Sequence, residues 1–309
     1  MIITGNLSMN SGFSVTPDPL TVNYLVVAGG GSGGAYYYSG GGGAGGLLTD
    51  SAITLTPSTT YTVVVGAGAS PGAANGTNSS LIGTGLSVTT IGGGRGGTHL
   101  TYIAGTNGGS GGGGGVFDGY QYNQGSGTAG PPRQGYGGGV GGPSFGGGGG
   151  GSGGVGQNGA TGVSPSGTGG LGTNLTSIIG VSLATSSGVG YISGSEVQFA
   201  GGGGGAVEAN QGNLPWTAPG SAGGGIGAKY VVGENAGAGQ VNTGSGGGGG
   251  CHPGTNNGVG GAGGSGVVVI KYPGNSAKAT GGTIVDISEG YVTHIFKTSG
   301  TFSFITSAL

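Results

Sequence analysis

Short apolar runs, continuous or alternating with polar residues, lie near both ends of the chain and predict β-strands. Near the N-terminus the apolar, β-branched run 21–27 stops at a glycine run, and near the C-terminus the run 267–272 is closed by Pro273. Runs of this length between turn residues are typical of strands. About eight strands are predicted in this way: 21–27, 53–55, 61–65, 86–91, 267–272, 283–287, 291–296 and 301–305.

The helical pattern is missing from the sequence. No segment free of glycine and proline has apolar residues at i, i+3, i+4 and i+7, so we expect almost no helix. In the middle of the chain only the insert 178–199 has enough apolar residues for a hairpin of its own. Many short strands separated by turn signals predict an all-β protein, with a jelly-roll-like sandwich built from the two ends.

Glycine dominates between these ends, with 93 glycines among 309 residues and runs such as 146–151, 201–205 and 246–250. Glycine loses more conformational freedom on folding than any other residue, so such runs either stay disordered or serve to let bare backbones pack. Disordered chains usually combine high net charge with low hydrophobicity. Here charged residues are only 5% of the chain and the formal net charge is −2, which favours packed backbones.

Packed glycine backbones have a known geometry in the polyproline II helix. This helix has three residues per turn, rises ~3.1 Å per residue and has no internal hydrogen bonds, so its N–H and C=O groups need partners on neighbouring chains. Collagen is excluded because there is no sustained Gly-X-Y period and only 12 prolines occur. A flexible linker of about 170 residues inside one domain is unusual. We therefore favour a bundle of polyglycine II helices, with a disordered spacer as the alternative.

The same pattern divides the chain into three parts. Residues 1–91 hold the N-terminal strands and the first glycine runs, 92–265 the bundle with variable loops, and 266–309 the C-terminal strands. A rigid bundle has loops only at its ends, where tyrosine and tryptophan offer contact area that suits flat ligands such as sugars. Alternatively, these rings cover the bundle ends or the sandwich. The candidate contact residues are Tyr36, Tyr37, Tyr38, Tyr120, Tyr122, Tyr136 and Trp216, with Phe145 in the same class of insert.

Charge and chemistry narrow the function further. Six Lys/Arg residues are too few for a basic groove, so we expect no nucleic-acid partner. The apolar runs are far shorter than the ~20 residues of a membrane helix, so we expect no membrane insertion. The first residues lack a secretory signal, so we expect a protein that is made in a cytoplasm, or one exported by a route that the sequence does not encode. Cys251 is the only cysteine, which excludes an internal disulfide framework.

Residues that could carry catalysis or bind a metal are scattered. No close carboxylate pair, nucleophile elbow or phosphate-binding loop is present. Adjacent Cys251 and His252 are poorly spaced for one metal, and His294 is expected at a satisfied polar position in a strand. We therefore expect no enzyme, no metal and no cofactor. The remaining candidates, each isolated, are His99 and, for calcium, Asp50, Asp118 and Glu208.

Five ordered motifs carry a family resemblance. They resemble motifs of the glycine-rich domain common in bacteriophage tail-fibre and other virion proteins, and they are the segments 22–31 (VNYLVVAGGG), 41–46 (GGGAGG) and 61–68 (YTVVVGAG), the turn 75–80 (NGTNSS) and the segment 263–273 (GGSGVVVIKYP). The pattern is also similar to the glycine-rich extracellular domain of anaplastic lymphoma kinase receptors. The resemblance implies a jelly-roll sandwich from which packed glycine helices project.

The resemblance also implies a function and partners. It implies a non-enzymatic structural protein of a virion, made in the host cytoplasm and exposed on a tail fibre, spike or capsid surface. The expected partners are other virion proteins, further copies of the chain, and a host surface glycan or outer-membrane receptor bound through the loops. The alternatives are a capsid decoration or self-assembling filament protein, and a cellular extracellular glycine-rich structural protein.

One feature departs from the family pattern. The segment 291–302 usually precedes the Tyr-Leu-Val-Val strand, but here it follows the Lys-Tyr-Pro end. We therefore expect the C-terminal strands either to complete the sheet of a neighbouring subunit or to dock onto a virion by strand addition, or to fold back onto their own sandwich. The candidate assembly residues are Tyr291, Ile295, Phe296, Phe302 and Phe304.

Overall fold

Strands from both ends of the chain pair into two antiparallel sheets of five strands each, so the predicted all-β sandwich is present. The computed structural model describes residues 17–57, 59–72, 74–98, 104–117, 120–160, 167–207, 218–229, 234–251 and 258–305. Within these residues the elements are β1 Leu20–Val27, β2 Leu47–Leu55, β3 Thr60–Val64, β4 Ser79–Gly83, β5 Leu86–Thr90, β6 Val116–Phe117, β7 Tyr120–Gln121, β8 Thr173–Asn174, α1 Val181–Ser187, β9 Tyr191–Ser193, β10 Glu196–Phe199, β11 Val267–Pro273, β12 Ala279–Thr280, β13 Ile284–Ser288, β14 Tyr291–Phe296 and β15 Gly300–Phe304.

Each sheet contains strands from both ends of the chain. The first sheet runs β13-β14-β11-β1-β2 and the second runs β12-β15-β3-β4-β5. Thus β14 pairs with β11, which pairs with β1, while β15 pairs with β3. Because each sheet joins a block of N-terminal strands to a block of C-terminal strands, the sandwich needs both ends of the chain. The jelly-roll topology in its finer detail stays a prediction.

Alternate side chains of the first sheet enter two different cores. On β1, Val22, Tyr24 and Val26 face the second sheet, while Leu25 and Val27 face the opposite side. Side chains of a strand alternate between its faces, so burial of both faces requires a continuous apolar run. This double burial explains the continuous apolar runs Tyr24–Val27 in β1 and Val267–Ile270 in β11.

A small unit of residues 173–199, which we call the cap, covers that second face. It comprises β8, α1, β9 and β10, and its Ile179, Val197 and Phe199 pack with Leu25 and Val269. The cap contains the hairpin predicted within 178–199, and among the described residues it also holds the one helix, α1, in agreement with the expectation of almost no helix. A helix of seven residues is too short to show a periodic pattern, and it is stabilised by packing rather than by propensity.

Strand β4 was also missed, because the resemblance assigns residues 75–80 to a turn. Ser79 is polar but fully buried, and its burial is tolerated because its hydroxyl group is hydrogen-bonded. Its Oγ donates to the carbonyl of Val27 at 2.8 Å and accepts from the amide of Gly66 at 2.8 Å. These side-chain hydrogen bonds let the strand begin at Ser79.

Candidate functional site: the glycine bundle and its distal loops

The described glycine runs within residues 28–46, 66–78, 91–172 and 200–266 lie against one another and form what we call the bundle. The runs 28–35 and 39–46 are buried along their whole length. Having almost no side chains, they are surrounded by other backbones instead. Their hydrogen bonds therefore decide whether the predicted polyglycine II geometry is present.

Residues three apart in the run 29–34 donate hydrogen bonds to the same neighbour. Three neighbours are reached, at N···O distances of 2.9–3.1 Å: Gly29 and Ser32 donate to Thr77 and Ala74, Gly30 and Gly33 to Gly264 and Gly261, and Gly31 and Gly34 to Gly43 and Gly40. When the donor lies three residues later in the sequence, its acceptor lies three residues earlier, so these neighbours are antiparallel. Three directions repeating every third residue are the geometry of the polyproline II helix.

The carbonyl groups of the same run accept from three further runs. The bonds measure 2.8–3.0 Å: Gly29 and Ser32 accept from Gly93 and Gly96, Gly31 and Gly34 from Gly247 and Gly250, and Gly30 from Ala69. The run thus has six backbone neighbours, three that accept and three that donate. The six amides and the carbonyl groups of Gly29, Gly30, Gly31, Ser32 and Gly34 thus find partners outside their own helix, as buried backbone requires. The predicted bundle of polyglycine II helices is therefore present in the structure.

Close approach of the backbones leaves no room for a Cβ atom. A Cβ built on Gly33 would lie 1.8 Å from the carbonyl oxygen of Gly248, and one on Gly149 would lie 1.9 Å from that of Gly42. Real Cβ atoms are not found this close to another heavy atom. Glycine is needed at these positions because its hydrogen faces a neighbour's carbonyl group, and Cα–H···O contacts of this kind recur between closely packed backbones.

The direction of the runs defines the two ends of the bundle. Strand β1 ends at Val27 and β2 begins at Leu47, so the run 28–35 leaves the first sheet and the run 39–46 returns to it. Eight residues of polyproline II helix span about 25 Å. The turn 36–38 therefore lies at the end of the bundle away from the sandwich, which we call the distal end.

Three of the predicted contact residues, Tyr36, Tyr37 and Tyr38, form this distal turn. Tyr36 is 36% exposed and the other two rings are half-buried. Tyr36 and Tyr38 have φ values of +74° and +39°, which are uncommon for residues with a side chain. The Ser39 hydroxyl lies within hydrogen-bond distance of the carbonyl groups of residues 35–37 and closes the turn. Sequence reasoning missed Ser39, although its position after the tyrosines and before a glycine run was a usable signal.

Two more predicted tyrosines reach the same end through β6 and β7. Gly40 donates to Gly97 and Gly97 donates to Gly113, which places both acceptors beside the distal turn. The chain continues from Gly113 into the β6–β7 hairpin, which contains the backbone of Tyr120, and then to half-buried Tyr122. The distal end thus brings together residues that are far apart in the sequence.

Of the other predicted contact residues, Tyr136 does not join this group. The Tyr136 amide donates to the carbonyl of Gly151, close to the cap, and the Arg133 guanidinium lies 4.5 Å from the ring centroid of Tyr136. Phe145 is buried with Val207 and Ala218, so its ring covers the bundle. Trp216 lies outside the described residues.

The five candidate assembly residues belong to strands of the chain's own sheets. Strand β14 lies between β13 and β11, and β15 lies between β12 and β3. Ile295, Phe296 and Phe302 are fully buried in the cores on either side of the first sheet, while Tyr291 is 39% exposed and Phe304 is half-buried. In this arrangement the apolar side chains of both strands are already packed within one subunit.

His294 occupies the satisfied polar position that was predicted. It is fully buried on β14, with Nδ1 2.7 Å from the carbonyl of Gly281 and Nε2 3.0 Å from the hydroxyl of Tyr272. A carbonyl oxygen only accepts, so Nδ1–H donates to it and Nε2 accepts from the tyrosine. Burial lowers the pKa of His294 below its usual value, and burial likewise raises the pKa of Tyr272.

Among the residues that the structure describes, no group of three or more His, Cys, Asp or Glu side chains is placed to hold a metal ion. No helix in this part of the chain is long and apolar enough to cross a membrane. Cys251 is buried beside Ala206 and Ala228, and Asp50 lies on β2. His99, His252, Asp118 and Glu208 lie outside the described residues.

Comparison with known proteins identifies the family of the chain. The sequence profile of a family described as a glycine-rich domain matches residues 8–273. No curated protein and no solved structure matches the chain. The match spans most of the chain, from the segment before β1 to the end of β11, and so includes the whole bundle and the cap. The chain belongs to the glycine-rich domain family.

Proposed function

We propose that the chain is a non-enzymatic structural protein of a bacteriophage particle, exposed on a tail fibre, spike or capsid surface and made in the host cytoplasm. The sandwich attaches the bundle to other virion proteins, and the distal loops contact a host surface glycan or outer-membrane receptor. This proposal draws on the ordered motifs 22–31, 61–68 and 263–273, which resemble those of virion proteins.

The observation that carries the recognition role is the clustering of tyrosines at the distal end. Tyr36, Tyr37, Tyr38 and Tyr122, together with the backbone of Tyr120, lie at the tip of a bundle whose runs are bonded to several neighbours each. A rigid support lowers the entropy cost of binding, because the loops need little further ordering. Tyrosines on such a support give contact area at low conformational cost.

Binding of the purified protein to a panel of bacterial cells tests this proposal. The variant combines Tyr36→Asn with Tyr37→Ser, because asparagine tolerates the positive φ at residue 36 better than other polar residues. Tyr136→Ser, which removes a tyrosine near the cap, is the matched control. We expect the distal variant to lose binding by about tenfold or more, as for a hot-spot aromatic residue, and the control to bind like the wild type.

Other outcomes separate the alternatives. Equal binding by wild type and distal variant contradicts recognition through the distal tyrosines. Binding to no cell, combined with ordered self-assembly or co-purification with phage heads, favours a capsid decoration or filament protein.

A further inference from the structure

A row of polar residues crosses the first sheet just beyond the edge of the cap. Asn23 on β1 is paired with Lys271 on β11, Lys271 with Thr293 on β14, and Thr293 with Asp286 on β13. Directly opposed residues of neighbouring strands face the same side of a sheet. The four side chains therefore form one line across four strands.

The adjacent row on the same face is apolar and covered. Leu25, Val269, Ile295 and Ile284 are paired in the same order, and all four pack in the core beneath the cap. The change from apolar to polar thus coincides with the edge of the cap. Where the cap stops, the sheet continues as the polar floor of a cleft whose wall is the cap.

Two adjoining cavities make up this cleft, with volumes of about 210 Å³ and 360 Å³. Ile178 of the cap lines both, so they are neighbouring parts of one depression. The first lies between α1 and strands β13 and β14, and the second lies beside β1 and β2. Strands are spaced ~4.8 Å apart, so the floor from β1 to β13 is about 14 Å long. An extended ligand fits this shape better than a compact one.

The groups in the cleft combine donors, acceptors and an aromatic ring. Lys271 Nζ lies 4.5 Å from the ring centroid of Tyr291 and 3.5 Å from the carbonyl oxygen of Ser177, which fixes the ammonium group above the floor. The Ser288 hydroxyl donates to the carboxylate of Asp286, which keeps further acceptor capacity. Polar groups that converge in a cleft beside a partly exposed aromatic ring are the usual arrangement of a small-molecule site.

Charge selects among the ligands that could use these groups. Lys271 is the cation of the cleft, whereas Asp286 and Glu289 line its first cavity as anions. The excess of carboxylates repels an anionic ligand, and carboxylates accept hydrogen bonds from hydroxyl groups. We propose that this cleft binds a neutral oligosaccharide, whose hydroxyl groups bond to the polar row while Tyr291 packs against a sugar ring. The site lies on the sandwich, apart from the distal loops, and does not depend on the protein's place in a virion.

Saturation-transfer NMR on the full chain tests the proposal with three neutral trisaccharides, maltotriose, cellotriose and chitotriose, and with anionic trigalacturonate. We expect at least one neutral trisaccharide to bind, and trigalacturonate not to bind. Lys271→Met keeps the aliphatic stem and removes the ammonium group, and it should weaken binding about tenfold, as loss of a charge-assisted hydrogen bond does. Lys278→Met, on the segment before β12, is the matched control and should bind like the wild type.

A second variant guards against a folding artefact. Asp286→Asn retains the shape of a half-buried side chain on an edge strand, and it should also weaken binding while the thermal unfolding midpoint stays unchanged. The proposal is overturned by any of three results: no neutral trisaccharide binds at millimolar concentration, trigalacturonate binds better than the neutral sugars, or both cleft variants bind as tightly as the wild type.

Discussion

At the scale of single residues, glycine acts in this chain through the atom it lacks. Gly33 and Gly149 face carbonyl oxygens that a Cβ would overlap, whereas a Cβ on Gly154 would meet the Leu171 side chain and backbone at an ordinary 3.6 Å. The glycine runs in the sequence indicated that close packing was needed. They could not show which glycines are required, because that depends on which run lies beside which.

This difference predicts the cost of adding one methyl group. Gly33→Ala should lower the free energy of unfolding by about 3 kcal/mol or more, since two backbones must separate and their hydrogen bonds weaken. Gly154→Ala, in the same bundle, should change the free energy of unfolding by less than about 1 kcal/mol. The change should be stabilising if the alanine lowers the conformational entropy of the unfolded chain. Urea unfolding of both variants measures the difference, and equal stabilities would contradict close backbone packing at Gly33.

His294 predicts a dependence of stability on pH. Its folded pKa is lowered by burial, so the unfolded state binds the proton more readily. The stabilisation is therefore complete above the unfolded pKa of ~6.5 and is lost as the pH falls below it toward the folded pKa, by at most ~1.4 kcal/mol per pH unit.

Urea unfolding at about pH 7.5 and about pH 5 measures this loss, which spans the usual titration range of histidine. His294→Gln has no titrating ring, so its stability should fall less between the two pH values than that of the wild type. An equal fall in both proteins would show that the histidine is not buried in its neutral form.

At the scale of elements, the sequence was sufficient where strands carry Val, Ile and Tyr between clear turns, as in β1, β11 and β14. It was insufficient for β4, where a buried serine replaces an apolar residue, and for α1, which is too short to be periodic. The polar row of the cleft could not be predicted either. Asn23 and Lys271 lie near opposite ends of the chain, and only the pairing of β1 with β11 places them side by side.

The C-terminal strands give a prediction at this scale. Phe302→Ala should lower the free energy of unfolding by about 3–5 kcal/mol, because the ring is fully buried and lies 5.0 Å from the ring of His294. Thr301→Ala, at the neighbouring exposed position on β15, should cost less than about 1 kcal/mol. Denaturant unfolding tests both, with light scattering to follow the oligomeric state. A variant at Phe302 that changes the oligomeric state without changing stability would favour strand exchange between subunits.

At the scale of the whole molecule, two kinds of core coexist. The sandwich and the cap are stabilised by buried apolar side chains. The bundle is stabilised by backbone hydrogen bonds between runs that have almost no side chains. The two are continuous, since β1 becomes the run 28–35 and the run 258–266 leads into β11. A bundle so attached presents its distal loops in a fixed position relative to the sheets, which is the property that a display function needs.

Hydrogen–deuterium exchange across residues 92–265 of the purified protein tests the central claim most directly, namely that the glycine runs form a hydrogen-bonded bundle. Amides that donate within the bundle, such as those of Gly113, Gly203 and Gly247, should exchange far more slowly than in an unstructured chain. The protection should extend through each run and not only through the strands. If these runs exchange at random-coil rates and protection is confined to the sandwich, the result would contradict the bundle. It would also contradict the proposal that the bundle presents the distal loops for binding.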